Sequence, residues 1–175
     1  MNDITSYMLE QAKKILSIDS PTGFTAHAAE YVLGAYKKLG YDAKLTNKGG
    51  IFVCVNDGPD QADDPADAPI LLEAHMDTLG GMVCSINEKG RLMLSALGGM
   101  NPNNAEAENC RVYTRSGKVY SGTFQLKNAS IHVNGSYNDT ARSYDAMEVV
   151  LDEPVESKAD TEACLLYTSP SPRDS

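Results

Sequence analysis

The sequence predicts an α/β chain in which helices alternating with strands give way to a run of short strands alone. Two observations carry that reading. Up to Gly40 the apolar residues recur every three or four positions, the spacing that gathers them on one face of a helix. Beyond Gly80 short apolar runs are separated by glycine-bearing turns, the signature of successive hairpins. The change of style, near residues 80–99, predicts a domain boundary.

The first helix is predicted over residues 5–18. Ile4, Met8, Ala12, Ile15 and Leu16 form its stripe, Lys13 and Lys14 its wet side, and Asp3 or Thr5 its cap. Ser20-Pro21-Thr22-Gly23 interrupts it, because proline turns its predecessor away from helical angles and Gly23 admits a tight turn. A second helix follows over 26–39. Thr25 is its cap, Ala28, Val32, Tyr36 and Leu39 are its stripe, and Gly40 stands where a glycine stop belongs. Residues 41–45 and 51–55 then flank Asn47-Lys48-Gly49-Gly50 as a hairpin. The acidic stretch 56–67 has no periodicity and lacks the ordered spacing of a calcium loop, so it reads as a solvated loop. Ile70-Leu71-Leu72-Glu73-Ala74 is predicted as a short strand, with His75-Met76-Asp77 directly after it.

Beyond this point, residues 82–86 and 91–95 flank Asn87-Glu88-Lys89-Gly90 as a second hairpin. Strands at 110–114 and 119–126 surround Arg115-Ser116-Gly117-Lys118, and further strands are predicted at Ile131-His132-Val133 and at 147–151. That density of short strands predicts a small barrel or sandwich.

Composition narrows the function. With 15 Lys and Arg against 24 Asp and Glu the formal charge is -9, which repels phosphate backbones and anionic lipid, so nucleic acid and membranes are excluded as expected partners. The N-terminus lacks a basic stretch followed by an apolar run, and no segment approaches the ~20 apolar residues of a membrane span, which predicts a cytoplasmic protein. Cys54, Cys84, Cys110 and Cys164 show no C-x-x-C spacing and are expected as reduced thiols. No phosphate-binding glycine loop is present. His27 and His132 have no metal-like neighbours at useful spacing and read as structural or surface residues. Tyr113, Tyr120, Phe124 and Tyr137 read as core or cross-strand packing, and Arg111, Arg115 and Arg142 as solvated or paired with carboxylates.

His75 and Asp77 are the chemical centre of the sequence. In open α/β sheets ligands gather beyond the carboxyl ends of strands, where this pair is predicted to lie. A metal-bound histidine needs a neutral ring, with one nitrogen on the ion and the other N–H held by an oxygen acceptor. Asp77 suits that second role, since residues separated by one other in extended backbone share a side. An H-x-D pair alone does not separate a ligand from a structural histidine. The run from Ala68 to Gly80, with Leu97-Gly98-Gly99-Met100, the strand pair around Arg115-Ser116-Gly117-Lys118 and the opening with Ser20-Pro21-Thr22-Gly23, resembles the glutamyl and deblocking aminopeptidase family, which includes the tetrahedral aminopeptidases.

The resemblance implies the N-terminal part of a zinc-exopeptidase-like catalytic domain over residues 1–88, followed by an inserted small β-barrel domain, incomplete, over 89–163. It also implies two divalent metal ions, zinc or cobalt, peptide substrates, and a homo-oligomer assembled through the barrel. Two site residues carry over: His75 as the first metal ligand, and Asp77 as the catalytic-site aspartate that orients it. Thr78 and Leu79 stand where the family more often has Glu and Ile. The family's bridging aspartate, general-base glutamate and later ligands match nothing here, so the chain alone is expected to be inactive. A deacylase or carboxypeptidase with the same H-x-D opening, or a noncatalytic peptide-binding or oligomerisation module, are the alternative readings.

The end of the sequence carries a separate expectation. Cys164-Leu165-Leu166-Tyr167-Thr168-Ser169-Pro170-Ser171-Pro172-Arg173-Asp174 back-translates, codon by codon, to a transposase adaptor used in preparing sequencing libraries. Residues 164–175 are accordingly expected to be an adaptor-derived tail, with no packed element after Ala163.

Overall fold

The computed structural model describes residues 3–55 and 70–165. The acidic stretch 56–67 and residues 166–175 lie outside that description. The chain divides into two compact units, Met1–Leu79 and Gly80–Ser175. The division falls ahead of the 88/89 boundary expected from sequence, which lands in the turn of a hairpin belonging to the second unit.

In the first unit, helix α1 (Asp3–Leu16) and helix α2 (Ala26–Lys38) follow the predicted stripes. Thr25 stands at the α2 N-cap, but in helical angles and without a side-chain bond to the helix. The other end of α2 closes as a Schellman turn. Gly40, at φ +90°, donates its N–H to the Lys37 carbonyl at 3.0 Å, and Tyr41 donates to the Tyr36 carbonyl at 3.1 Å. The Tyr36 and Tyr41 rings meet edge-on at 6.1 Å, which supplies the apolar contact that accompanies this stop. Strands β1 (Lys44–Leu45) and β2 (Ile51–Phe52) pair antiparallel across the predicted turn.

The strand expected at residues 70–74 does not form. Ile70, Leu71 and Leu72 are 88%, 70% and 89% exposed, and no described strand lies beside them. A strand exists only through its ladder, so an apolar run without a neighbour stays unpaired.

The second unit is built on a curled five-stranded half-barrel sheet. Its strands are β3 (Gly80–Ile86), β4 (Leu92–Leu97), β5 (Asn109–Tyr113), β6 (Val119–Leu126) and β7 (Met147–Leu151), antiparallel throughout in the order β3-β4-β7-β6-β5. A short helix α3 (Pro102–Ala105), a 3-10 turn (Tyr144–Ala146) and helix α4 (Lys158–Leu165) complete it. On β6 every second residue is buried, Tyr120, Gly122, Phe124 and Leu126, as expected for a strand with one dry face. Tyr120, Phe124 and Leu126 meet Leu92, Met147, Val149 and Leu151 in one core with Val155 and Leu165.

Two expectations fail in this unit. Ile131-His132-Val133 is a succession of turns rather than a strand. Polar side chains next to it capture the backbone: Asn134 donates from Nδ2 to the Asn128 carbonyl at 2.9 Å and accepts the Ser136 N–H, while its own N–H bonds the Ser130 carbonyl at 2.8 Å. Residues beyond Ala163 were expected to pack against nothing, yet α4 runs on through Leu165, which is 9% exposed. Leu165 lies one helical turn after Thr161, fully buried, so both fall on the face turned to the core. Thr161 donates to the Gly90 carbonyl at 2.8 Å, and Tyr120 donates its hydroxyl to the Cys164 carbonyl at 3.0 Å. Among the described residues no helix is long and apolar enough to cross a membrane.

Candidate functional site

Within the first unit, the break between α1 and α2 is tied to the segment bearing His75 and Asp77. Pro21, Thr22, Gly23 and Phe24 form a tight turn closed by the Phe24 N–H on the Pro21 carbonyl at 2.7 Å, and Gly23 adopts φ +87°, a conformation in which a side chain is strained. The Thr78 N–H bonds the Ser20 carbonyl at 2.7 Å, and Pro21 and Thr78 form an isolated parallel bridge. Thr22 Oγ1 donates to Asp77 Oδ2 at 2.6 Å. Ser20 is 1% exposed, and its hydroxyl has no partner among the described residues.

His75 Nδ1 lies 2.9 Å from the Asp77 carbonyl oxygen and 3.3 Å from Asp77 Oδ1. Both oxygens can only accept, so Nδ1 is the nitrogen that carries the proton. The neutral ring then keeps a lone pair at Nε2, as a metal ligand requires. The His75 side chain is 86% exposed and that of Asp77 is 40% exposed. The Asp77 carboxyl is held below the ordinary aspartate range, first by the Thr22 hydroxyl and further by His75. Asp77 is therefore a carboxylate at neutral pH, fixed at one oxygen and facing the imidazole with the other.

His75 follows backbone with no strand pairing instead of the end of a central strand, and the tie at Thr78 to the Ser20–Pro21 turn does the anchoring. Thr22 was not singled out by the sequence as a side chain of the site. The hint lay in the hydroxyls of Ser20-Pro21-Thr22-Gly23, which read locally as a helix break. The remaining candidates fall outside the site. His27 meets Phe24 edge-on at 5.6 Å, His132 lies in a turn, and Tyr120 and Phe124 are core residues. Burial pushes the Cys110 thiol up, away from the thiolate form a nucleophile needs. Among the described residues no group of three or more His, Cys, Asp or Glu side chains is arranged to hold a metal ion.

Residues 52–166 match the M42 glutamyl aminopeptidase family. The chain belongs to that family. It is 36% identical over 154 residues to YhfE of Bacillus subtilis (strain 168), covering 88% of this chain and 43% of that protein. It is 32% identical over 112 residues to the glutamyl aminopeptidase of Lactococcus lactis subsp. cremoris (strain MG1363), covering 63% and 30%. The TET1 peptidase of Pyrococcus horikoshii, which can assemble into a tetrahedron or a large octahedral shell, shares the fold with a TM-score of 0.71 at 21% identity, over 93% of this chain and 44% of that one. The chain thus spans less than half the length of each of these proteins.

Measured against the metal centre that M42 resemblance implies, the donor set fits in part. An imidazole with a free Nε2 suits zinc or cobalt, and its other nitrogen is already engaged by Asp77. A catalytic zinc takes three protein ligands, and among the described residues no such group of donors comes together around His75.

Proposed function

We propose that the protein to which this segment belongs is a cytoplasmic metallo-aminopeptidase that removes N-terminal residues from peptides, using two divalent ions of the zinc or cobalt type. The observation that carries the reading is the His75–Asp77 pair, with Nδ1 turned to two oxygen acceptors and Nε2 left free, inside the segment that matches M42. In this reading His75 is a metal ligand through Nε2, and Asp77 holds its tautomer and ring angle. Bound ions of this kind supply a Lewis acid and an activated water. The first compact unit contributes to the catalytic domain and the second, from Gly80, to an inserted barrel, through which copies assemble; the shells that the TET1 peptidase can form favour that arrangement.

The test assays the 175-residue chain and a full-length parent on aminoacyl-p-nitroanilides and free-amine peptides, with and without zinc or cobalt. The parent is expected to turn over in a metal-dependent way that His75→Ala abolishes. The chain alone is expected to stay near background, because missing general-base chemistry by itself commonly costs ~10²- to 10⁴-fold. A parent inert on every free-amine substrate but active on N-acyl amino acids or carboxyl-terminal residues would move the assignment to a deacylase or carboxypeptidase.

A further inference from the structure

We propose that Thr22 is a positioning residue for the metal centre: its hydroxyl fixes the Asp77 carboxylate, and through it the ring of His75. The inference rests on the aminopeptidase reading above and concerns a residue that the H-x-D pattern does not contain.

A carboxylate one methylene beyond the backbone can rotate, and the Asp77 side chain is 40% exposed, so solvent alone would leave its two oxygens interchangeable. Thr22 removes that freedom by donating to Oδ2 at 2.6 Å, within the range of a charge-assisted bond to a carboxylate. With Oδ2 engaged, Oδ1 is the oxygen that faces His75 Nδ1, at 3.3 Å. The donor is itself fixed in place. Thr22 is β-branched, which restricts its rotamers, and it sits in a turn closed by the Phe24 N–H on the Pro21 carbonyl. The turn is fastened to the residue after Asp77 by the Thr78 N–H on the Ser20 carbonyl at 2.7 Å and by the Pro21–Thr78 bridge. The backbone ties bring residues 20–22 alongside residues 77–78, and the Thr22 hydroxyl converts that proximity into one orientation of the carboxylate. The Asp77 carbonyl also accepts from Nδ1, at 2.9 Å, so loss of Thr22 loosens the ring without freeing it. A partial effect on metal affinity follows.

The experiment uses the full-length parent, with zinc and cobalt affinity read by competition with a chromophoric chelator and kcat and KM read separately. Thr22→Val, which keeps shape and loses the hydroxyl, is expected to weaken metal binding about tenfold, at the lower end of the effects of outer hydrogen-bond partners of metal ligands. At saturating metal, KM for the peptide should stay within about twofold, and Thr22→Ser should restore the affinity. If Thr22→Val does not fold, Thr22→Ala carries the same loss of donor and is judged against Thr22→Ser in the same way. A residue that only braced the turn would lower the melting temperature and leave metal affinity unchanged. Unchanged affinity in the folded hydroxyl-less variant, beside a clear loss in His75→Ala, would overturn the role of Thr22 and leave the site standing. Unchanged affinity in His75→Ala as well would instead remove the metal-site reading on which the proposal depends.

Discussion

Glu106 and Arg142 show how one residue of an acidic chain becomes structural. Arg142 donates from Nε to Oε2 at 2.8 Å and from Nη2 to Oε1 at 3.2 Å, Tyr137 adds its hydroxyl to Oε1, and the guanidinium lies over the Tyr137 ring at 4.6 Å. Nη1 bonds the carbonyls of Tyr137 and Thr140, so the pair closes the turns that replaced the expected strand at 131–133. Arg142 first, then the Tyr137 hydroxyl, hold the Glu106 carboxyl below its ordinary range. A folded-state value below the unfolded one means stability fully present above the unfolded carboxylate pKa and lost as pH falls through the folded one. Glu148 works in the opposite sense: burial pushes its carboxyl up, so its penalty is present at neutral pH and is relieved by acid. Glu106→Gln is therefore expected to cost about 1–3 kcal/mol at neutral pH and to flatten the acid limb of a stability curve, whereas Glu148→Gln should steepen it. Urea melts from neutral to acid pH followed by tyrosine fluorescence check this, and parallel curves for both variants would refute it. Legibility at this scale depends on separation along the chain. His75 and Asp77 sit two positions apart and can be read as a pair, but Asp77 and Thr22 are 55 residues apart, and a threonine beside a proline announces a turn before it announces a donor.

Elements whose cause is local were legible, and those whose cause is a neighbour were not. The Gly40 stop of α2 and the hairpins turning at residues 87–90 and 115–118 follow from residues within a few positions of one another. The Asn87 side chain accepts both the Lys89 and the Arg91 N–H, at 3.0 and 2.9 Å, a bond pattern that a sequence can declare by itself. Residues 70–74 had equally good strand composition, yet a ladder needs a second strand, and none of the described residues supplies it. Turn glycines test how much of this is backbone and how much is packing. Gly90 and Gly117 share positive φ, +73° and +84°, but a Cβ at Gly90 would come within 2.5 Å of Thr161 Oγ1 and 2.7 Å of the Ser157 carbonyl, whereas at Gly117 nothing lies within 4 Å. Gly117→Ala should cost about 1 kcal/mol of backbone strain alone. Gly90→Ala should cost several kcal/mol, since it also drives α4 from the turn and breaks the Thr161 bond to the Gly90 carbonyl. Equal losses in the two variants, measured by chemical denaturation, would show that α4 does not bear on this turn.

At the scale of the molecule, apolar surface is distributed unequally within the chain. The second unit gathers Leu92, Phe124, Leu126, Met147, Val149 and Leu151 into a dry core. In the first unit α1 has no buried residue at all, although Ile4, Met8 and Leu16 lie at helical spacing and are 69%, 63% and 77% exposed, and Ile70, Leu71 and Leu72 are exposed as well. Apolar groups left in water cost about 25 cal/mol per Å², and an extended apolar run with unsatisfied backbone is a template for pairing. The arrangement makes sense if other residues of the intact M42 protein supply strands beside 70–74 and a surface over α1, consistent with a chain that spans 43% of YhfE. Two measurements follow. The 175-residue chain should self-associate with rising concentration in sedimentation velocity and bind an apolar dye. Replacing Leu72 with Lys should reduce both, because it places a charge on the run without touching the second unit's core. In the full-length parent, amide exchange at residues 70–74 should slow by at least about a hundredfold relative to the chain, the protection a ladder confers when opening costs ~2.7 kcal/mol or more. If those amides exchanged as freely in the parent as in the chain, the run would be an extended surface segment in its own right, and His75 would have to be held by the Thr22–Asp77 contact and the bridge at Thr78 alone.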